Sequence, residues 1–152
     1  LLAPELPATT LAPNCYYHMF DGCISLRTAP ELPALTLAFV GDAVYELYVR
    51  QNILSLSVKA HNLHYLGVSR VNNNTQAMLL MRIEPELTEI EQSVVRRGRN
   101  AKGIVPKNAA VQTYRKSTAL EALIGYLYLN GENDRLLWIL GQIEDVVAQG
   151  GH

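Results

Sequence analysis

Between Glu91 and Glu121 the chain has no aspartate or glutamate, although 14 of its 152 residues are acidic. The same interval carries seven of the thirteen basic residues: Arg96, Arg97, Arg99, Lys102, Lys107, Arg115 and Lys116. A formal net charge of −1 therefore conceals a polarised molecule. A basic, glycine-containing run suits a phosphodiester backbone, or else a solvated surface. Cysteine is confined to Cys15 and Cys23, with no Cys or His spacing that would make a zinc site. The two read as free thiols of a reducing compartment, with a local disulfide as the alternative. No segment approaches the roughly 18 uninterrupted apolar residues of a membrane span, so a soluble globular protein with no membrane partner is expected. The first residues lack the charged, apolar and small-residue order of a secretory signal. Glu-x-x-His pairs are missing too, which argues against a di-iron helical bundle.

What is present suits one domain large enough to bury a real core. Residues 1–31 are rich in Pro, Ala, Leu and Thr, and APELPATTLA at 3–12 nearly recurs as APELPALTLA at 29–38. Only the second copy runs on into an apolar helix, so 1–31 is expected to be a poorly ordered or variable extension and 32–152 the functional domain. From Leu32 onward no alternating strand pattern is convincing, and the expected class is all-α, a helical bundle. Pro33 opens the first helix, whose apolar positions 35, 39, 43, 47 and 54 keep roughly helical spacing. A second helix is expected over 59–81, and a third after Pro85 with Glu86 and Glu89 at its positive end and Gly98 as its stop. GRNAKGIVPK at 98–107 reads as a loop. Helix resumes over 108–129, stops at Asn130-Gly131, and a last helix fills 132–148.

Two acids stand out. In LAFVGDAVYELYVR (37–50) Asp42 follows a glycine among apolar neighbours, and in STALEALIGYLYLNG (117–131) Glu121 stands alone in an apolar helix, one turn before Gly125. Either could be the polar edge of a helix. If the two helices cross near their glycines, however, the carboxylates face each other and repel unless a cation lies between them. Oxygen ligands and a nearby basic run favour Mg²⁺ with phosphate over zinc. Glu46, one turn after Asp42, is either an outer-shell group or an i,i+4 partner of Arg50. His61 and His64 are three apart with no third ligand in a recognisable spacing, so His64 is taken as a polar rim, outer-shell or substrate contact. Tyr114, Tyr126 and Tyr128 read as core or interface, with Tyr114 the one that could lie near a bound phosphodiester.

The motifs LAFVGDAVYELYVR, RRGRNAK and PKNAAVQTYRKSTALEALIGYLYL, in that order, closely resemble the Mini-ribonuclease III family, the ribonuclease III catalytic domain without a double-stranded RNA-binding domain. The resemblance covers about residues 32–147. It implies an all-helical, twofold-dimeric endoribonuclease that cuts double-stranded RNA with Mg²⁺ in the cytoplasm of a bacterial-type cell or an organelle stroma. It also implies maturation of large-subunit (23S-type) ribosomal RNA, with a ribosomal protein or pre-ribosomal particle as a further partner. Asp42 and Glu121 fall on the family's metal-binding, catalytic acids, and Arg96, Arg97, Arg99, Asn100, Lys102, Lys107, Arg115 and Lys116 are assigned to RNA. Full-length ribonuclease III usually has two more acids, where this chain has Ala38 and Thr118; the Mini branch shares that reduction. Asn72-Asn73-Asn74 stands where relatives often carry a lysine. The alternative is a catalytically silent double-stranded RNA-binding dimer.

Overall fold

The computed structural model describes residues 32–56, 59–103 and 110–150. They form seven α-helices in chain order: α1 Ala34–Ile53, α2 Ala60–Val71, α3 Asn73–Ile83, α4 Glu89–Asn100, α5 Val111–Leu129, α6 Asn133–Gly141 and α7 Ile143–Gly150. A 3-10 turn, Glu84–Glu86, leads into α4. The all-α expectation holds, with no strand among the described residues. No described helix is long and apolar enough to cross a membrane. The expectations for 1–31 and for Lys107 lie outside the described residues.

Helix α5 is the axis of the bundle and packs against α1, α3, α4 and α6. Over Ser117–Leu127 every residue is buried except Glu121, the pattern of a helix enclosed on all sides. α1 turns Leu37, Ala38, Gly41, Tyr45, Val49 and Ile53 inward, a row repeating about every four residues. The stripe 35, 39, 47, 54 singled out in the sequence is therefore not the core face: Leu35, Phe39, Leu47 and Leu54 are all exposed. Both rows have helical spacing, so period alone cannot tell which of them meets α5; the glycine in the inner row decides it.

Four boundaries differ from the sequence expectation. The helix expected over 59–81 breaks at Asn72, whose backbone is extended (φ −73, ψ 155). Its side-chain oxygen accepts from the Thr75 N–H at 3.0 Å, and its Nδ2 donates to Val68 O at 3.0 Å and Ser69 O at 2.9 Å. One asparagine thus ends α2 and caps α3. At the other break, α4 begins later than expected, at a Thr88/Glu91 capping box. It also runs through Gly98 to Asn100, so Gly98, Arg99 and Asn100 are helical rather than loop. Gly98 is there for contact: a Cβ on it would lie 2.7 Å from Ala119 Cα of α5. The last helix is two, divided at Gln142. Gly131, at φ +71, makes the turn out of α5 as expected.

Ion pairs fasten the outer helices. Glu91 on α4 meets Arg135 on α6 at 2.8 Å, and Arg135 lies 4.4 Å over the Trp138 ring. Arg70, buried on α2, grips Glu144 on α7 with two bonds of 2.7 Å, and its carbonyl accepts from the Tyr45 hydroxyl at 2.8 Å.

Candidate active site

The site starts from two missing side chains. A Cβ on Gly41 would lie 1.8 Å from Glu121 O and 2.7 Å from Gly125 N, and one on Gly125 would lie 2.0 Å from Leu37 O. Helices α1 and α5 therefore cross backbone to backbone, as the two glycines suggested. The crossing puts Asp42, next to Gly41, close enough to Glu121, one turn before Gly125, for its charge to act on that carboxyl.

The electrostatics are those of two acids in each other's field. Burial, then the Asp42 charge, pushes the Glu121 carboxyl up to about 7. The Gln76 amide, acting on it as a hydrogen-bond donor, pulls the other way. Asp42 is raised as well, by burial first and then by Glu46. No arginine or lysine among the described residues is one of the groups that set the Glu121 charge, so this largely buried acid, facing the more exposed Asp42, lacks the counter-ion that buried carboxylates ordinarily have. An all-oxygen pair of this kind fits a hard divalent cation. Among the described residues no group of three or more His, Cys, Asp or Glu gathers to hold a metal. Neither Glu46 nor His64 therefore joins Asp42 and Glu121 as a third direct ligand. Glu46 is bonded to Arg50 at 3.1 Å, the i,i+4 alternative, and His61 and His64 are exposed on α2.

The residues assigned to RNA divide into two sets. Arg96, Asn100, Lys102 and Arg115 are exposed. Arg97 is half-buried and donates to Leu32 O. Arg99 bonds Glu84 at 2.8 Å, and Lys116 Nζ lies 3.1 Å from Met81 Sδ, so these three are partly committed within the fold. An open groove of about 310 Å³ runs between the C-terminal end of α4 and the start of α5, lined by Asn100, Lys102, Tyr114, Arg115 and Thr118 among others. Tyr114 thus stands on the basic groove, whereas Tyr126 is buried in the core. Gln76, which the sequence reading passed over, is 1% exposed. Its only signal there was a single amide beside the apolar run 77–81.

Residues 35–132 match the model of the Ribonuclease III domain family. The chain is 48% identical to a Mini-ribonuclease 3 of Desulfitobacterium hafniense over 124 residues, 81% of this chain and 79% of that one. It is 47% identical to a Mini-ribonuclease 3 of Symbiobacterium thermophilum over 121 residues, 78% and 93% respectively. An X-ray structure of a Fusobacterium nucleatum protein superposes with a TM-score of 0.69 at 30% identity, covering 80% of this chain and 96% of that one.

Proposed function

We propose that this chain, which belongs to the ribonuclease III domain family and to its Mini-ribonuclease III branch, is an endoribonuclease that hydrolyses double-stranded RNA with Mg²⁺ held by Asp42 and Glu121. The observation that carries the metal assignment is the α1–α5 crossing, which holds two acids in mutual repulsion without a basic side chain to neutralise them. When bound, Mg²⁺ supplies a nucleophilic water near neutral pH and charge neutralisation at the scissile phosphate. The protein's part is to fix the two carboxylates and to bring the phosphate to them. Arg96, Lys102 and Arg115, exposed near or along the α4–α5 groove, are suited to the RNA backbone, with Arg97, Arg99, Asn100, Lys107 and Lys116 as a second tier. A-form RNA offers little sequence in its narrow major groove, so shape, 2′-hydroxyls and phosphates carry recognition.

Cutting both strands needs two sites, which a twofold dimer supplies. The outward stripe of α1, with Phe39 81% and Leu47 58% exposed, is the surface for it; sedimentation at micromolar concentration is expected to give twice the 16.9 kDa chain mass. The substrate proposed is a large-subunit ribosomal RNA precursor, met in a bacterial-type cytoplasm. A long duplex and its single strands, each incubated with Mg²⁺ or with EDTA, test the activity. Cleavage of the duplex in Mg²⁺ alone is expected. Tight duplex binding with no cleavage would establish the silent binding dimer instead. Sequencing the ends of RNAs that accumulate on depletion identifies the substrate.

A further inference from the structure

Reading Asp42 and Glu121 as cation ligands leaves one buried polar group without a use. Gln76 on α3 is 1% exposed, and its neighbours Ala77, Leu79, Leu80 and Ile83 are buried hydrocarbon. A leucine or methionine would fill that space without withdrawing an amide from water, so core packing does not explain the residue. Its chemistry does. The nitrogen end of the amide acts as a donor toward Glu121, while Oε1 is buried with no hydrogen-bond partner among the described residues. Turning the amide over would set an oxygen against a carboxylate, acceptor against acceptor. With Glu121 ionised, as a cation ligand is, the donor end of the amide faces it and the orphan is Oε1.

We propose that Gln76 is a positioning residue for the cation site: its amide N–H group holds the Glu121 carboxylate in the ligating orientation, and its Oε1 is the acceptor for water that a hydrated cation carries. The inference rests on Asp42 and Glu121 being the cation ligands. It follows from the poverty of the site, because Mg²⁺ keeps several waters when protein ligands are few. Groups behind the ligands then set carboxylate orientation and affinity. Both ends of the amide are used in one assembly, and the orphaned oxygen is satisfied only when the site is loaded.

The test is Mn²⁺ binding by isothermal titration to the full chain, with thermal melts in EDTA and in Mn²⁺, for wild type, Gln76→Met, Gln76→Leu and Asp42→Asn. Both Gln76 variants are expected to melt in EDTA at or above the wild-type temperature while binding Mn²⁺ about tenfold or more weakly. Their cleavage at limiting Mg²⁺ falls and returns as Mg²⁺ is raised. Unchanged Mn²⁺ affinity in Gln76→Met overturns the proposal. So does a loss of affinity matched in both variants by a lower melting temperature in EDTA, which makes Gln76 a packing residue. Asp42→Asn separates the two levels of the argument. If it binds Mn²⁺ like wild type, the carboxylate assignment has failed and the role of Gln76 with it. If it abolishes binding while the Gln76 variants do not weaken it, only the role of Gln76 is refuted.

Discussion

Glu91 and Glu121 are both drawn out of water by helix packing, yet the first is held below the ordinary carboxylate range and the second is pushed up to about 7. Burial works in the same direction on both; the company differs. Glu91 accepts from Arg135 at 2.8 Å and from the Thr88 N–H at 2.7 Å, and these bonds outweigh its burial. Glu121 has the like charge of Asp42 and, against it, one neutral amide. The α4–α6 pair is complete in itself and fastens two helices. The α1–α5 pair is incomplete in itself, and an acid kept short of its counter-ion is where the proposed cation would bind.

The largest effect should come from removing charge without shape at the incomplete pair. Asp42→Asn or Glu121→Gln is expected to abolish single-turnover cleavage in Mg²⁺ while leaving helix content and duplex binding close to wild type. A variant that cuts at near wild-type rate breaks the contrast at its root. The next effect is on pH dependence, where the two acids have opposite signs. The folded-state pKa of Glu121 is raised, from 4.5 to about 7, so its contribution to the stability of the metal-free protein is full below the unfolded value and lost as pH rises through about 7. The pKa values of Glu91 and Glu144 are lowered, so their contributions are present above the unfolded value and lost as pH falls through the folded one. Urea titrations in EDTA from about pH 5 to 8 should show wild type losing up to about 3 kcal/mol relative to Glu121→Gln. Equal slopes for the two proteins would remove the buried-acid account.

Arg135→Met turns the comparison round, since it strands a structural carboxylate instead of a site one. Glu91 is 4% and Arg135 26% exposed at the side chain, so the loss should be about 2 kcal/mol, below that of a fully buried pair. Chemical denaturation reads it, and cleavage below the melting range should be unchanged. The smallest effect concerns cations. Arg70 and Arg135 are held in pairs, whereas Arg96, Lys102 and Arg115 are exposed. Neutralising those three should flatten the salt dependence of duplex binding in Ca²⁺ by roughly one unit of log-log slope per lost phosphate contact. An unchanged slope would return the basic run to a solvated surface.

The comparison also shows what a sequence can disclose. The crossing that brings Asp42 and Glu121 together was legible because a lone acid within a turn of a glycine in an apolar helix is a local anomaly, and the glycines foretold the close approach. Glu91 carried no such mark; its partner Arg135 is 44 residues away, and only the folded chain joins them. Gln76 was missed for a related reason, since one amide in a mixed helix is ordinary until its burial is known. At Asn72 the break was hidden by competing signals: three asparagines in a row offer three caps, and apolar spacing continues on either side. Gly98 was misread because glycine serves both as a helix stop and as a contact point, and the neighbour that decides between them is Ala119 on another helix.

At the α1–α5 crossing, Gly41 meets Glu121 O and Gly125 meets Leu37 O with main chain alone. The spacing of the two backbones that carry the acids is consequently set by main-chain contact and behaves as a fixed gauge, while side-chain torsions and neighbours such as Gln76 aim the carboxylates. Mutational drift in the surrounding core can alter how firmly the gauge is held, but it has no graded way to widen it, because the smallest available step at either glycine is a whole methyl group. Adaptation to a new RNA is thereby channelled to the edge of the molecule, where the C-terminal end of α4 and the groove before α5 can change charge and shape while the chemistry keeps its dimensions.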